Sequence, residues 1–295
     1  MAAFARALTG TALLGSGVLA YAYAETKRFT LRRQRIAVLP AGQSDLRVLH
    51  ISDLHMVPGQ HRKREWVQSL VTLAPDAVIA TGDFLSHEEG IPSALEALNP
   101  LLELPGAFVL GSNDYYAPKP INPAKYFAGP SQLEPKRKML DWEPLAQGLT
   151  RYGWLDLNNA AHDWKVDGRL IDVRGVDDPH ISRDNSSMVA GSFNPQADLH
   201  LGIVHAPYRR VLDAMSSDGA QVILAGHTHG GQLRVPGYGA LVTNCDLDTR
   251  RARGLSTYGQ SHLHVSAGLG CSRYAPFRFA CPPEATLLTL TATTE

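Results

Sequence analysis

Asp53 and His55 stand two residues apart where the apolar run 46–52 ends, and Asp83 follows Gly82 where Ala77–Thr81 ends. His205 closes the run Leu199–Val204. His227 and His229 repeat the two-residue spacing in Gly226-His227-Thr228-His229-Gly230-Gly231-Gln232. Carboxylates and imidazoles placed where strands stop are the donors a pair of divalent ions requires. With no thiolate among them, the set suits Mn²⁺, Fe or Zn²⁺ and argues against a structural zinc knot. Two such ions roughly 3.5–4 Å apart clamp the attacking and leaving oxygens of a displacement at phosphorus. A water bridging them is acidic enough to act as a hydroxide nucleophile near neutral pH, so no serine or cysteine nucleophile is needed.

Strands and helices must deliver these groups to one place. The pattern predicts strands at 46–52, Ala77–Thr81 and 107–110, separated by amphipathic helices over 62–73 and 93–103. A β-α-β-α-β order implies a parallel sheet with right-handed crossovers, with ligand chemistry at the carboxyl ends of its strands. Asp53, Asp83 and the turn 111–114 all fall there. Further apolar runs at 154–157, 170–174, Leu199–Val204, Val222–Ala225, 263–266 and 286–290 predict a second sheet packed on the first, with helices outside. Between the halves lies a segment, 115–140, carrying Pro118, Pro120, Pro123, Pro130 and Pro135 together with Lys119, Lys125, Lys136, Arg137 and Lys138. A loop of this length in a compact domain reads as a lid or binding loop.

Lys+Arg and Asp+Glu are both 28 in the 295 residues, but residues 1–36 hold six basic groups against Glu25 alone. The remainder therefore carries about −5, which argues against a nucleic-acid partner. Cys245, Cys271 and Cys281 show no C-x-x-C spacing and read as inert core thiols. Residues 8–24 are uncharged and long enough to be a short membrane-spanning helix. The expected organisation is thus an N-terminal anchor (1–26), a basic linker (27–45) and a catalytic domain (46–292). The basic flank would face that domain to the cytoplasm. In the alternative, Ala22-Tyr23-Ala24 is a cleavage site and the protein is exported.

Taken in order, Asp53-x-His55, Gly82-Asp83, the turn 111–114, His205 and Gly226-His227-x-His229 resemble the motif set of the calcineurin-like metallophosphoesterases over about residues 46–292. The Gly-His-Thr-His-Gly-Gly-Gln signature and the tail Gly268-Leu269-Gly270 followed by Pro282-Pro283-Glu284 are most similar to the membrane-associated bacterial branch that resembles UDP-2,3-diacylglucosamine hydrolases. The resemblance implies a four-layer αββα sandwich of two mixed sheets with a dimetal site at strand carboxyl ends. It implies that Asp53, His55, Asp83 and His229 hold one ion, and that Asp83 bridges to a second held by His205, His227 and the amide of the turn. The implied activity is hydrolysis of a phosphomonoester or phosphodiester, with a lipid or nucleotide-lipid substrate suggested by the branch.

The turn departs from the family pattern. Where Gly-Asn-His-Asp is usual, this chain has Gly111-Ser112-Asn113-Asp114. Aligned without gaps, Ser112 takes the ligand position and Asn113 the place of the histidine that assists the leaving group. Shifted by one residue, Asn113 remains the amide ligand and the histidine is missing. Asn113 is preferred as the metal contact, because an amide oxygen is the better neutral ligand. Asp114, His87, His180 or the lid lysines then become candidates to replace the missing acid or to line the substrate cleft, with Ser112 beside them. The same departure motivates the alternative of a metal-bound pseudo-enzyme that binds a phosphate-containing ligand without efficient turnover.

Overall fold

A computed structural model describes residues 15–120, 129–131 and 136–294. A helix over residues 15–25 (α1) precedes strands β1 (Thr30–Leu39) and β2 (Leu46–Ile51). Next come helix α2 (His61–Ser69) with a 3-10 turn, β3 (Ala77–Thr81), α3 (Ile91–Leu102), β4 (Gly106–Val109) and the single turn α4 (Ser112–Tyr115). α5 (Glu143–Thr150) and β5 (Leu155–Asp156) complete the first half. The second half runs β6 (Ala160–Val166), β7 (Arg169–Val176), β8 (Leu199–Val204), α6 (Arg209–Asp218), β9 (Val222–Ala225), a short hairpin of β10 (Arg234–Val235) and β11 (Gly239–Ala240), β12 (Gly254–Tyr258), β13 (Ser261–Val265) and β14 (Glu284–Ala292).

The strands form two six-stranded sheets, ordered β1-β14-β2-β3-β4-β5 and β12-β13-β9-β8-β7-β6. Alternation along each strand sets the layers. Leu46 and Val48 of β2 and Ala77 and Ile79 of β3 pack against Leu199, Leu201, Val222 and Leu224 of the opposing sheet. Their neighbours Leu49, Ile51, Val78 and Ala80 face outward onto Val67, Leu98, Leu101 and Leu145 of the helices. Beyond the second sheet, Ile223, Ala225 and Val204 meet Val211, Leu212 and Met215 of α6. The result is the expected four-layer αββα sandwich. Both sheets are mixed. In the first, β14 runs antiparallel to β2 while β1 runs parallel to β14. In the second, the outer strands β12 and β6 run antiparallel to the neighbours they pair with.

Two expectations are corrected. Residues 27–45 are not a linker. They contain β1, paired over its length with β14, and its basic residues alternate outward while Ile36 and Val38 enter the inter-sheet core. Nor is the expected membrane span supported: no helix among the described residues is long and apolar enough to cross a membrane. Residues 8–14 of that stretch lie outside the described residues. The rest is α1, whose end is absorbed by the protein body. Ala22 is buried and its carbonyl accepts from Arg278 N (2.9 Å), while Glu25 Oε2 accepts from Cys281 N (3.2 Å). The membrane localisation and membrane partner built on that stretch fall with it.

Candidate metal centre

The parallel strands of both sheets release their carboxyl ends at the same edge of the sandwich. There the backbone does something costly. Asp53 (φ 49°), His55 (44°), Asp83 (54°), His227 (67°) and His229 (49°) all adopt the left-handed conformation. L-residues avoid that region, at a cost of order 1–3 kcal/mol each, and such strain collects at functional sites. Two glycines let the chains approach closely enough. A Cβ at Gly226 would collide with Ser52 Oγ and lie 2.8 Å from Asp53 Oδ2, and one at Gly111 would lie 2.7 Å from the His205 ring.

One ligand atom from each of Asp53, His55, Asp83 and His229 lies within 4.8 Å of the others. His55 Nε2 is 3.2 Å from His229 Nε2 and 3.4 Å from Asp83 Oδ2, and His229 Nε2 is 3.7 Å from Asp53 Oδ1. Surrounding groups fix their orientation. His229 Nδ1 faces the Gly270 carbonyl (3.2 Å), which leaves the Nε2 lone pair aimed into the cluster. Ser52 Oγ donates to Asp53 Oδ2 (2.6 Å), as does His227 N (3.1 Å). Buried Lys63 donates to the carbonyl of Leu54 (2.7 Å) beside His55.

His205, Asn113 and His227 extend the cluster on the far side of Asp83. His205 Nδ1 donates to Thr81 O (2.6 Å), so Nε2 points at Asp83 Oδ2 from 3.5 Å, too long for a hydrogen bond, and has no partner. His227 Nε2 donates to Asn244 O (3.0 Å), leaving its Nδ1 lone pair available. Asn113 gives its backbone N to Asp83 Oδ1 (2.8 Å) and its Nδ2 to Asp83 Oδ2 (2.7 Å). Its carbonyl Oδ1 accepts from Arg137 Nη2 (3.2 Å). Amide-oxygen ligation therefore requires a half-turn of that side chain.

The titration behaviour fits a site meant for cations. Burial pushes Asp53 up to about 6 and His55 down to about 4, and holds His227 and His229 well below the usual imidazole range. For Asp83 burial acts upward, but the charge of the neighbouring His205 outweighs it and holds the carboxyl well below its usual range. Neutral imidazoles at His55, His227 and His229 surround an ionised Asp83, while the carboxylates around His205 hold that imidazole well above its usual range, so that a proton stands where a cation would, and His55 Nδ1 and His205 Nε2 lack hydrogen-bond partners. Divalent ions fit that arrangement.

The remaining predicted residues separate. His180 comes to the centre, its ring 4.4 Å from that of His227, with Nδ1 on Tyr208 Oη (3.1 Å) and Nε2 on Ser131 Oγ (2.9 Å). Burial lowers it to about 4. Ser112 is buried in the turn. Asp114 is buried beneath it, its two oxygens accepting from Leu85 N (3.0 Å) and Gly111 N (2.9 Å). His87 lines a separate polar cavity of about 270 Å³ with Glu88, Glu89, Pro118, Arg273 and Tyr274. Several supporting groups had no signature in the sequence. Arg278 is fully buried and donates to the carbonyls of Ala267 (2.7 Å) and Gly270 (2.7 Å) behind His229. Asp178 is buried with Oδ2 unpartnered, and burial lifts it to about 7.

Residues 46–231 match the family model described as calcineurin-like phosphoesterase. The chain belongs to that family. As a calcineurin-like phosphoesterase it is a metal-dependent phosphoric ester hydrolase with a dimetal centre, the identity of the ions being open. It is similar to phosphodiesterase YaeI of Escherichia coli (26% identity, 97% of each chain). It is also similar to an uncharacterised metallophosphoesterase, YkoQ, of Bacillus subtilis (28% identity, 79% of this chain and 78% of that one). Among solved structures, TT1561 of Thermus thermophilus matches with a TM-score of 0.43 at 12% identity, over 77% of this chain and 91% of that one.

Proposed function

We propose that this phosphoesterase hydrolyses a phosphodiester using two divalent ions, with Asp83 shared between them. Asp53, His55 and His229 hold the first, and His205, His227 and the Asn113 amide hold the second. Residues 46–292 form the catalytic body, with 115–140 as an insertion beside the second ion. The observation that carries this reading is the convergence of strained Asp53, His55, Asp83 and His229, one ligand atom of each lying within 4.8 Å of the others. Bound ions would supply an activated water and neutralise phosphoryl charge. The chain's own part is to keep that geometry: Ser52 orients Asp53, Gly270 O orients His229, Thr81 O orients His205 and Asn244 O orients His227. The preference for a diester leans on the similarity to YaeI, a protein named as a phosphodiesterase.

The test is hydrolysis of a generic aryl phosphodiester with added Mn²⁺, beside Asp83→Asn and His229→Ala proteins. We expect a loss of at least about 10³-fold in each variant, the upper scale for removing one stabilising group from a preorganised site. Equal rates in all three proteins would instead mean a ligand-binding role without turnover. A lipid-linked diester, the class suggested by the resemblance to UDP-2,3-diacylglucosamine hydrolases, belongs in the substrate panel alongside water-soluble nucleotide esters.

A further inference from the structure

The turn 111–114 lacks the histidine that would protonate a departing oxygen, and of the groups considered as its replacement Asp114, His180, His87 and Lys138 already have partners. Both oxygens of Asp114 are held by backbone N–H groups. Both ring nitrogens of His180 are taken by Tyr208 and Ser131. His87 accepts from Glu89 N (3.0 Å), and Lys138 is paired with Glu88 (2.6 Å). What does stand against the turn is the guanidinium of Arg137, whose Nη2 donates to Asn113 Oδ1 (3.2 Å).

Arg137 is well anchored. It lies on the stem of the insertion, where Tyr116 and Met139 form a bridge, Ala117 N donates to Lys138 O (2.9 Å) and Leu140 N donates to Tyr115 O (2.8 Å). Its Nε donates to Ala117 O (3.0 Å), and its guanidinium carbon lies 5.9 Å from the Tyr116 ring centre. The residue is half-buried, one side chain removed from the Asp83 carboxylate.

We propose that Arg137 meets the departing oxygen of the substrate in place of a general acid, so that the enzyme selects phosphoesters whose leaving group is stable as an anion. This rests on the phosphodiesterase reading above. An arginine side chain does not release its proton at working pH, but it pairs with oxyanions through directed N–H donors. In the reaction water adds to phosphorus and gives its proton to solvent. The ester P–O bond breaks with its electron pair on the leaving oxygen, and that oxyanion departs unprotonated beside Arg137. Without proton transfer the barrier must rise steeply with the basicity of the leaving group, which general-acid catalysis would otherwise conceal.

The experiment measures kcat and KM with Mn²⁺ for methyl aryl phosphodiesters, from dinitrophenyl through nitrophenyl to unsubstituted phenyl, in wild type, Arg137→Ala, Arg137→Lys and Arg137→His. Bound manganese and thermal unfolding are recorded for each protein. We expect a steep fall in wild-type kcat along the series. Arg137→Ala should lose about 10²–10³-fold in kcat even at saturating manganese, Arg137→Lys should recover part of it, and Arg137→His should flatten the series. A wild-type rate indifferent to the leaving group, or Arg137→Ala with wild-type kcat, overturns the proposal while leaving the phosphodiesterase reading intact. Wild-type inactivity on every ester overturns both.

Discussion

In the first half of the centre the donors are imposed by the main chain. Asp53, His55 and His229 are bent into left-handed conformations, wedged by Gly226 and backed by buried Arg278 and Lys63. In the second half His227 is left-handed as well, but His205 leaves a strand end, and His227 and Asn113 lean on the Asn244 carbonyl, His180 and Arg137. Both halves are buried, with Asp53, His55, His205 and His227 nearly inaccessible and His229, at 15% exposure, the more open imidazole. The second half differs in bordering the stem of the insertion, through Asn113 and Arg137. A site that has to bind ions tightly and yet admit varied esters gains from dividing those tasks, since rigidity serves the first and adjustable contacts serve the second.

Perturbing the two halves separately sharpens this contrast. Gly226→Ala drives a methyl into Ser52 and Asp53. It should empty the first half and cost about 1–3 kcal/mol of stability, as overpacking does, read by metal analysis and urea unfolding. Arg278→Met removes the group that holds the Gly270 carbonyl behind His229. Loss of such an orienting partner typically costs about 10–100-fold in metal affinity. His180→Ala removes the ring that packs 4.4 Å from that of His227 and should weaken only the second, so titration with Mn²⁺ would show one site affected in each protein. If both variants weaken both sites equally, the halves are not separable.

The smallest effect expected is that of pH. Asp53 without metal is held at about 6, and ligation requires it ionised. Below pH about 6 a proton competes, so affinity at the first site should fall by up to about tenfold per unit. His55, lowered to about 4, adds its own proton competition only near that pH. Calorimetry at pH 5 and 7 reads the difference, and a pH-independent affinity would place Asp53 outside the first site.

Much of the fold was legible because it depends on period and placement. Ala77–Thr81, Leu199–Val204 and Val222–Ala225 appear with the bounds read from the sequence, since buried parallel strands are short unbroken apolar runs. β1, β6 and β12 escaped notice: they are edge strands, so charged and polar residues interrupt them. The residues that converge on the cluster carried their own signal, carboxylate and imidazole types just past strand ends. Their supports did not. Arg278 acts from a loop far along the chain, and Arg137 sits in a cationic run where nothing local marks it as the one facing Asn113. Residues 8–24 read as a span because they lack charge, yet among the described residues the helix docks through Ala22 and Glu25 while Val18, Leu19, Tyr21 and Tyr23 stay exposed.

That helix end has a consequence for the chain's processing. The carbonyl of Ala22 receives the backbone N–H of Arg278, and the Tyr21 ring sits edge-on to Phe279, 5.2 Å away. A protease cutting after Ala24 would strip both contacts from the stretch of chain that buttresses His229. Trimming the first two dozen residues would thus loosen the grip on the first ion from behind, without touching a single ligand.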